Sequence, residues 1–115
     1  MAIYRVAATA RADMTDVLRN SKAKFGPAAR RRYLALIRAA FESIAAQPKR
    51  VGSYSRDELA PGLRSFHLRH ARGQSRHDRV NRPRHIVFYR TGADGRIEIV
   101  RLLHEAMELG QHLSD

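Results

Sequence analysis

The chain has 115 residues, a formal net charge of +11 and no cysteine. That length supports one domain around one modest core, and the missing thiols exclude disulfides and thiolate metal sites. An apolar content of 43% argues against disorder, and no apolar run reaches the roughly 18 residues of a membrane span. With no signal-peptide pattern before Ile3-Tyr4-Arg5-Val6, the expectation is a cytoplasmic protein. Of 22 Lys and Arg, 19 are Arg, set against 11 acids. Such a chain seeks an acidic partner, and the guanidinium fork suits carboxylates and phosphates.

Residues 3–7 read as a first strand, with Ile3 and Val6 apolar. Thr9 offers a hydroxyl cap, and Ala10, Met14, Val17, Leu18 and Ser21 follow helical spacing, so a first helix is predicted over 9–25. Gly26-Pro27 breaks it, since glycine suits a helix end and proline the first turn of the next helix. The second helix is predicted over 27–47, with Tyr33, Ile37, Ala40, Phe41 and Ile44 in one apolar stripe widened by Leu34 and Leu36. Pro48 ends it.

Residues 49–63 read as a loop with a turn at Pro61-Gly62. Residues 64–70 alternate, with Phe66 and Leu68 on one face, and predict a second strand. Residues 71–84 are polar, basic and aperiodic, and read as a loop. Strands are predicted over 85–90 and 96–103, joined by Gly92-Ala93-Asp94-Gly95. In the last strand Ile97, Ile99 and Arg101 share one face, and Glu98, Val100 and Leu102 the other. Residues 105–113 place Met107 and Leu109 near helical spacing and predict a short closing helix. A strand, a helical hairpin and a three-strand meander make an α+β domain, with the hairpin on one face of a small antiparallel sheet and the N-terminal strand at an edge.

Three stretches carry a family resemblance over nearly the whole chain. They are Asp57-Glu58-Leu59-Ala60-Pro61-Gly62-Leu63-Arg64-Ser65-Phe66, then Ile86-Val87-Phe88-Tyr89-Arg90, then Ile97-Glu98-Ile99-Val100-Arg101-Leu102-Leu103-His104. In this order the chain resembles the ParE branch of the RelE/ParE toxin superfamily. The resemblance implies a toxin neutralised by a ParD-like antitoxin, whose acidic amphipathic C-terminal segment wraps it, and a freed toxin that inhibits DNA gyrase. For RelE-like relatives it implies instead ribosome-dependent mRNA cleavage. Residues 71–84 form a longer connection than the short turn many family members carry there.

Arg64, Arg69, Arg72, Arg76, Arg79, Arg82, Arg84 and Arg90 fall within 27 residues against one acid, Asp78. They form, with Arg101, the expected footprint for an acidic antitoxin or a target. Leu18 and Phe25 on the first helix are the expected apolar part of that surface. Direct nucleic-acid binding has weaker support, because Phe66, Phe88 and Tyr89 are the aromatics near the basic run and alternation buries some of them. The enzymatic alternative rests on Arg64 and Arg101 for charge, Tyr89, and His104 for proton transfer. The two acids that follow His104, Glu105 and Glu108, would repel RNA phosphates. No metal or cofactor is expected, since His67 and His70 lie three apart on a strand and point to opposite faces; His77 and Asp78 read as a surface pair.

Overall fold

A computed structural model describes residues 3–74, 80 and 82–107. The order is β1 (Tyr4–Val6), α1 (Ala8–Phe25), α2 (Pro27–Ala46), β2 (Ser53–Ser55), β3 (Arg64–His67), a 3-10 helix (Leu68–Gln74), β4 (His85–Thr91) and β5 (Ile97–His104). The five strands form one sheet ordered β1-β5-β4-β3-β2. β1 is an edge strand, as expected. It pairs parallel to β5 while the other pairs are antiparallel, so the sheet is mixed. No helix among the described residues is long and apolar enough to cross a membrane.

The hairpin covers one face of the sheet. The stripe of α2 buries Tyr33, Leu36, Ile37, Ala40, Phe41 and Ile44, and α1 adds Ala10 and Leu18. These meet Phe66, Val87, Tyr89, Ile97, Ile99 and Leu102 from the sheet, each large side chain contributing roughly 1.5–3 kcal/mol by leaving water. On the opposite face Leu63, Phe88 and Leu103 make a smaller cluster with Leu59, Ala60, Ile86 and Val100. The turn before β3 supplies part of that cover. It is closed by Asp57 Oδ1, which accepts the Gly62 N–H at 2.8 Å, with Gly62 at φ 76°, a conformation that favours glycine.

Several local expectations are corrected. Thr9 does not cap α1; Ala7 holds the cap position without a side-chain bond, and the Thr9 hydroxyl donates instead to the Val100 carbonyl at 3.0 Å. The 49–63 loop contains β2, whose three residues show no pattern of their own and become a strand by pairing with β3. The second predicted strand stops at His67. The chain then tightens into the 3-10 helix, which runs into the segment read as a loop. There Leu68 and Ala71, three apart and on one side of a three-residue turn, are both fully buried.

The alternation of β5 breaks at a bulge beside Phe88 and Tyr89, which pair with Arg101 and Ile99 and leave Val100 unmatched. The extra residue resets the faces, so Leu102 packs with Ile97 and Ile99 against the helices and Val100 joins the other cluster. Residues 105–107 form a turn and bend; the rest of the predicted closing helix lies outside the described residues.

Candidate functional site: a basic-rimmed groove at the end of the sheet

β1 ends early, and α1 takes over the flank of β5. Asp13 accepts Arg101 Nε at 2.8 Å, Arg101 Nη2 at 3.0 Å and the Leu102 N–H at 2.9 Å. This seam ties the second turn of α1 to β5, and the later turns of the helix face the ends of β4 and β5. Between them opens a groove of about 880 Å³. Its apolar wall includes Val17, Phe25, Tyr33 and Met107, and its cations are Lys24, Arg32, Arg82 and Arg84.

The floor is a hydrogen-bonded cluster. Tyr33 Oη lies 2.6 Å from His85 Nδ1 and accepts the Arg84 N–H at 3.1 Å. Burial pushes the Tyr33 hydroxyl up to about 12. Burial, with His104 alongside, pulls His85 down to about 4. Both groups are therefore neutral near pH 7, and the phenol donates to a ring nitrogen that carries no proton. The His85 and His104 rings meet edge to face at 5.2 Å, and His104 Nδ1 accepts the Ala106 N–H at 3.0 Å.

Glu105 straps this end together, bonding His67 Nε2 at 2.7 Å and Arg84 Nη1 at 3.1 Å. Those two bonds, His67 first, hold its carboxyl below the usual carboxylate range.

The predicted binding residues divide. Phe25, Arg82 and Arg84 line the groove together with His104. Arg64 is engaged elsewhere: its Nε donates to Ser53 Oγ at 2.8 Å, where Ser53 also bonds the Tyr89 hydroxyl. Tyr89 in turn donates to the Pro48 carbonyl at 2.6 Å, so this network fastens β2 and the end of α2 to the sheet. Arg90 pairs with Glu98 and Arg101 with Asp13. Arg69 is exposed and Arg72 half-buried, the latter with its Nε buried and unbonded.

Arg76, Arg79, His77 and Asp78 lie outside the described residues. Leu18 is only 6% exposed. It lines a second, shallower cleft with Met14, Lys22 and Arg30, away from the groove that Phe25 lines. Lys24, Arg32, Tyr33 and His85 were not among the candidate site residues; no sequence signal shows that Tyr33 and His85, 52 positions apart, meet.

The groups of the enzymatic alternative do not converge. Arg64 pairs across from Tyr89, and His104 across from His85. These pairs stand four residues apart along β4, about 13 Å at strand rise. Tyr89 is fully buried, and Arg101 is committed to Asp13.

The chain is 34% identical over 110 residues to Toxin ParE1 of Caulobacter vibrioides, an alignment covering 96% of each protein. The family model described as the ParE toxin of the parDE type II toxin–antitoxin system matches residues 4–109. With that match spanning almost the whole domain, this chain belongs to the ParE toxin family of type II toxin–antitoxin systems, a membership that implies a cognate ParD antitoxin.

Proposed function

We propose that this chain is a binding poison of DNA gyrase, acting in the cytoplasm and held inactive by a ParD-like antitoxin whose acidic, amphipathic segment lies in the groove. The observation that carries the antitoxin reading is the groove's make-up: apolar walls from Val17, Phe25, Tyr33 and Met107 beside Lys24, Arg32, Arg82 and Arg84. An amphipathic helix buries its apolar face in such a channel, and its carboxylates meet guanidinium groups at the rim. The separation of Arg64 from His104 favours inhibition by binding over RNA cleavage. Gyrase as the target comes from the resemblance to ParE-like toxins.

The test is gyrase supercoiling of relaxed plasmid by the antitoxin-free protein, read for lost supercoiling and for cleaved DNA. Inhibition relieved by the antitoxin is the expected result. Unimpaired supercoiling at high excess of the protein would overturn the gyrase reading. His104→Ala separates the enzymatic alternative, because a toxin that moved protons through His104 would lose toxicity while keeping its antitoxin.

A further inference from the structure

Two groups of cations in this chain contrast. Arg5, Arg56, Arg84, Arg90, Arg96 and Arg101 each reach a carboxylate within the chain. Lys22, Lys24, Arg30, Arg31 and Arg32 surround the elbow between α1 and α2, in an eleven-residue stretch that contains no acid. Among the described residues none of these five side chains has a hydrogen bond or an ion pair.

The elbow brings them together. Lys22 and Arg30 line one cleft, and Lys24 and Arg32 line the groove on the other flank. Each lies within six residues of Gly26, about 9 Å of helix rise. Between the two flanks Phe25 stands 74% exposed.

Helix physics does not account for the arrangement. Lys22 and Lys24 sit in the last turn of α1, where cations suit the dipole. Arg30 closes the first turn of α2, with Arg31 and Arg32 just beyond it, and that turn has no acid and no side-chain cap. There the positive end of the helix disfavours cations, and five neighbouring positive charges repel one another. Local rules broken without an internal compensation mark functional surfaces.

We propose that this elbow is a contact surface for single-stranded nucleic acid, with the five cations on phosphates and an unpaired base stacked on Phe25. Cations around an exposed aromatic ring are the chemistry of single-strand binding. Phe66, Phe88 and Tyr89, the aromatics beside the other basic run, are fully buried. An anionic membrane fits less well, because most large apolar side chains of both helices pack into the core and the exposed Phe25 is a small anchor. The inference stands apart from the identity of the toxin's target, and its test contains no gyrase.

The probe is a fluorescent twelve-residue oligothymidylate, titrated by anisotropy at several salt concentrations, with a duplex of equal length and anionic phosphatidylserine vesicles as parallel arms. Lys22→Gln, Arg30→Gln and Arg31→Gln together, all outside the antitoxin groove, are expected to weaken binding at least tenfold. They should also flatten the log–log salt slope by about 2, from about 0.7 per phosphate on single strands. Phe25→Ala is expected to weaken binding roughly tenfold with the slope unchanged. Retained antitoxin binding and an unchanged circular dichroism spectrum show that the triple variant is folded. The proposal is overturned if the triple variant binds like the parent, if Arg69→Gln with Arg82→Gln removes the binding instead, if the duplex binds as tightly as the single strand, or if only the vesicles capture the protein.

Discussion

Gly52 stands at φ 97°, and a Cβ placed there would come within 2.6 Å of the His70 ring at Cγ. Both the backbone conformation and the ring oppose any larger residue. Gly52→Ala is therefore expected to cost roughly 2–3 kcal/mol, measured by urea unfolding, and adding His70→Ala should recover only the steric part. Gly62 was readable as a turn glycine because Pro61 precedes it. Gly52 was not, since the clash depends on a 3-10 helix that begins sixteen residues later.

His85 makes a second prediction at this scale. Its folded value of about 4 lies below the ordinary 6.5, so between those values the unfolded chain binds a proton that the folded chain refuses. Its contribution is complete above pH 6.5 and is lost as pH falls towards 4, with a slope of at most about 1.4 kcal/mol per pH unit. His70, also lowered by burial, acts in the same direction. Unfolding free energies at pH 7 and pH 5 should therefore converge in part, not fully, in His85→Gln. An undiminished pH dependence in that variant would refute the assignment.

At the scale of elements, the seam between α1 and β5 shows how a short strand is supplemented. β1 ends at Val6, and Ala7 gives the last backbone bond to Ile99, at 2.9 Å. Beyond it, Thr9 and Asp13 of the helix satisfy the Val100 carbonyl and the Leu102 N–H. Asp13 thus serves a backbone amide and a half-buried guanidinium at once. Asp13→Ala removes the carboxylate that both groups bond and is expected to destabilise the fold by roughly 3 kcal/mol, seen as a lowered urea midpoint with an unchanged m-value. Deleting both partners, with Arg101→Met added, should recover part of the loss, because the buried charge goes too.

The same seam explains what was legible in the elements. The long helices showed themselves by period, and β4 by its apolar run. β2 and the bulge of β5 did not, because each exists only through its partner strand. Strict alternation placed Leu102 opposite Ile99, and one extra residue in the ladder reversed it.

At the scale of the whole molecule, positive charge is in surplus, with 22 Lys and Arg against 11 acids. Acids on and beside the sheet neutralise several of the arginines near them, Arg84 of the groove rim included, and among the described residues leave the cations of the helical elbow without an ion pair. A cognate antitoxin that binds the folded toxin alone should raise its stability by about 2.7 kcal/mol when free antitoxin stands at a hundredfold its dissociation constant. Thermal unfolding across an antitoxin titration checks this, and a melting temperature that does not move at saturation counts against it.

By itself the sequence determined the family, the α+β class, the helical hairpin with its core stripe, and the demand for an acidic partner. The family follows from the resemblance of three motif stretches, while the class, the hairpin and the expectation of an acidic partner follow from periodicity, turn chemistry and net charge, which are local or summed properties. Only the tertiary structure decided which charges remain available. Arg64, Arg90 and Arg101, prominent in the sequence, are taken up by Ser53, Glu98 and Asp13. Lys24 and Arg32, not singled out in it as site residues, line the groove. A side chain's pairing depends on neighbours brought from tens of residues away, and no local pattern in the chain records them.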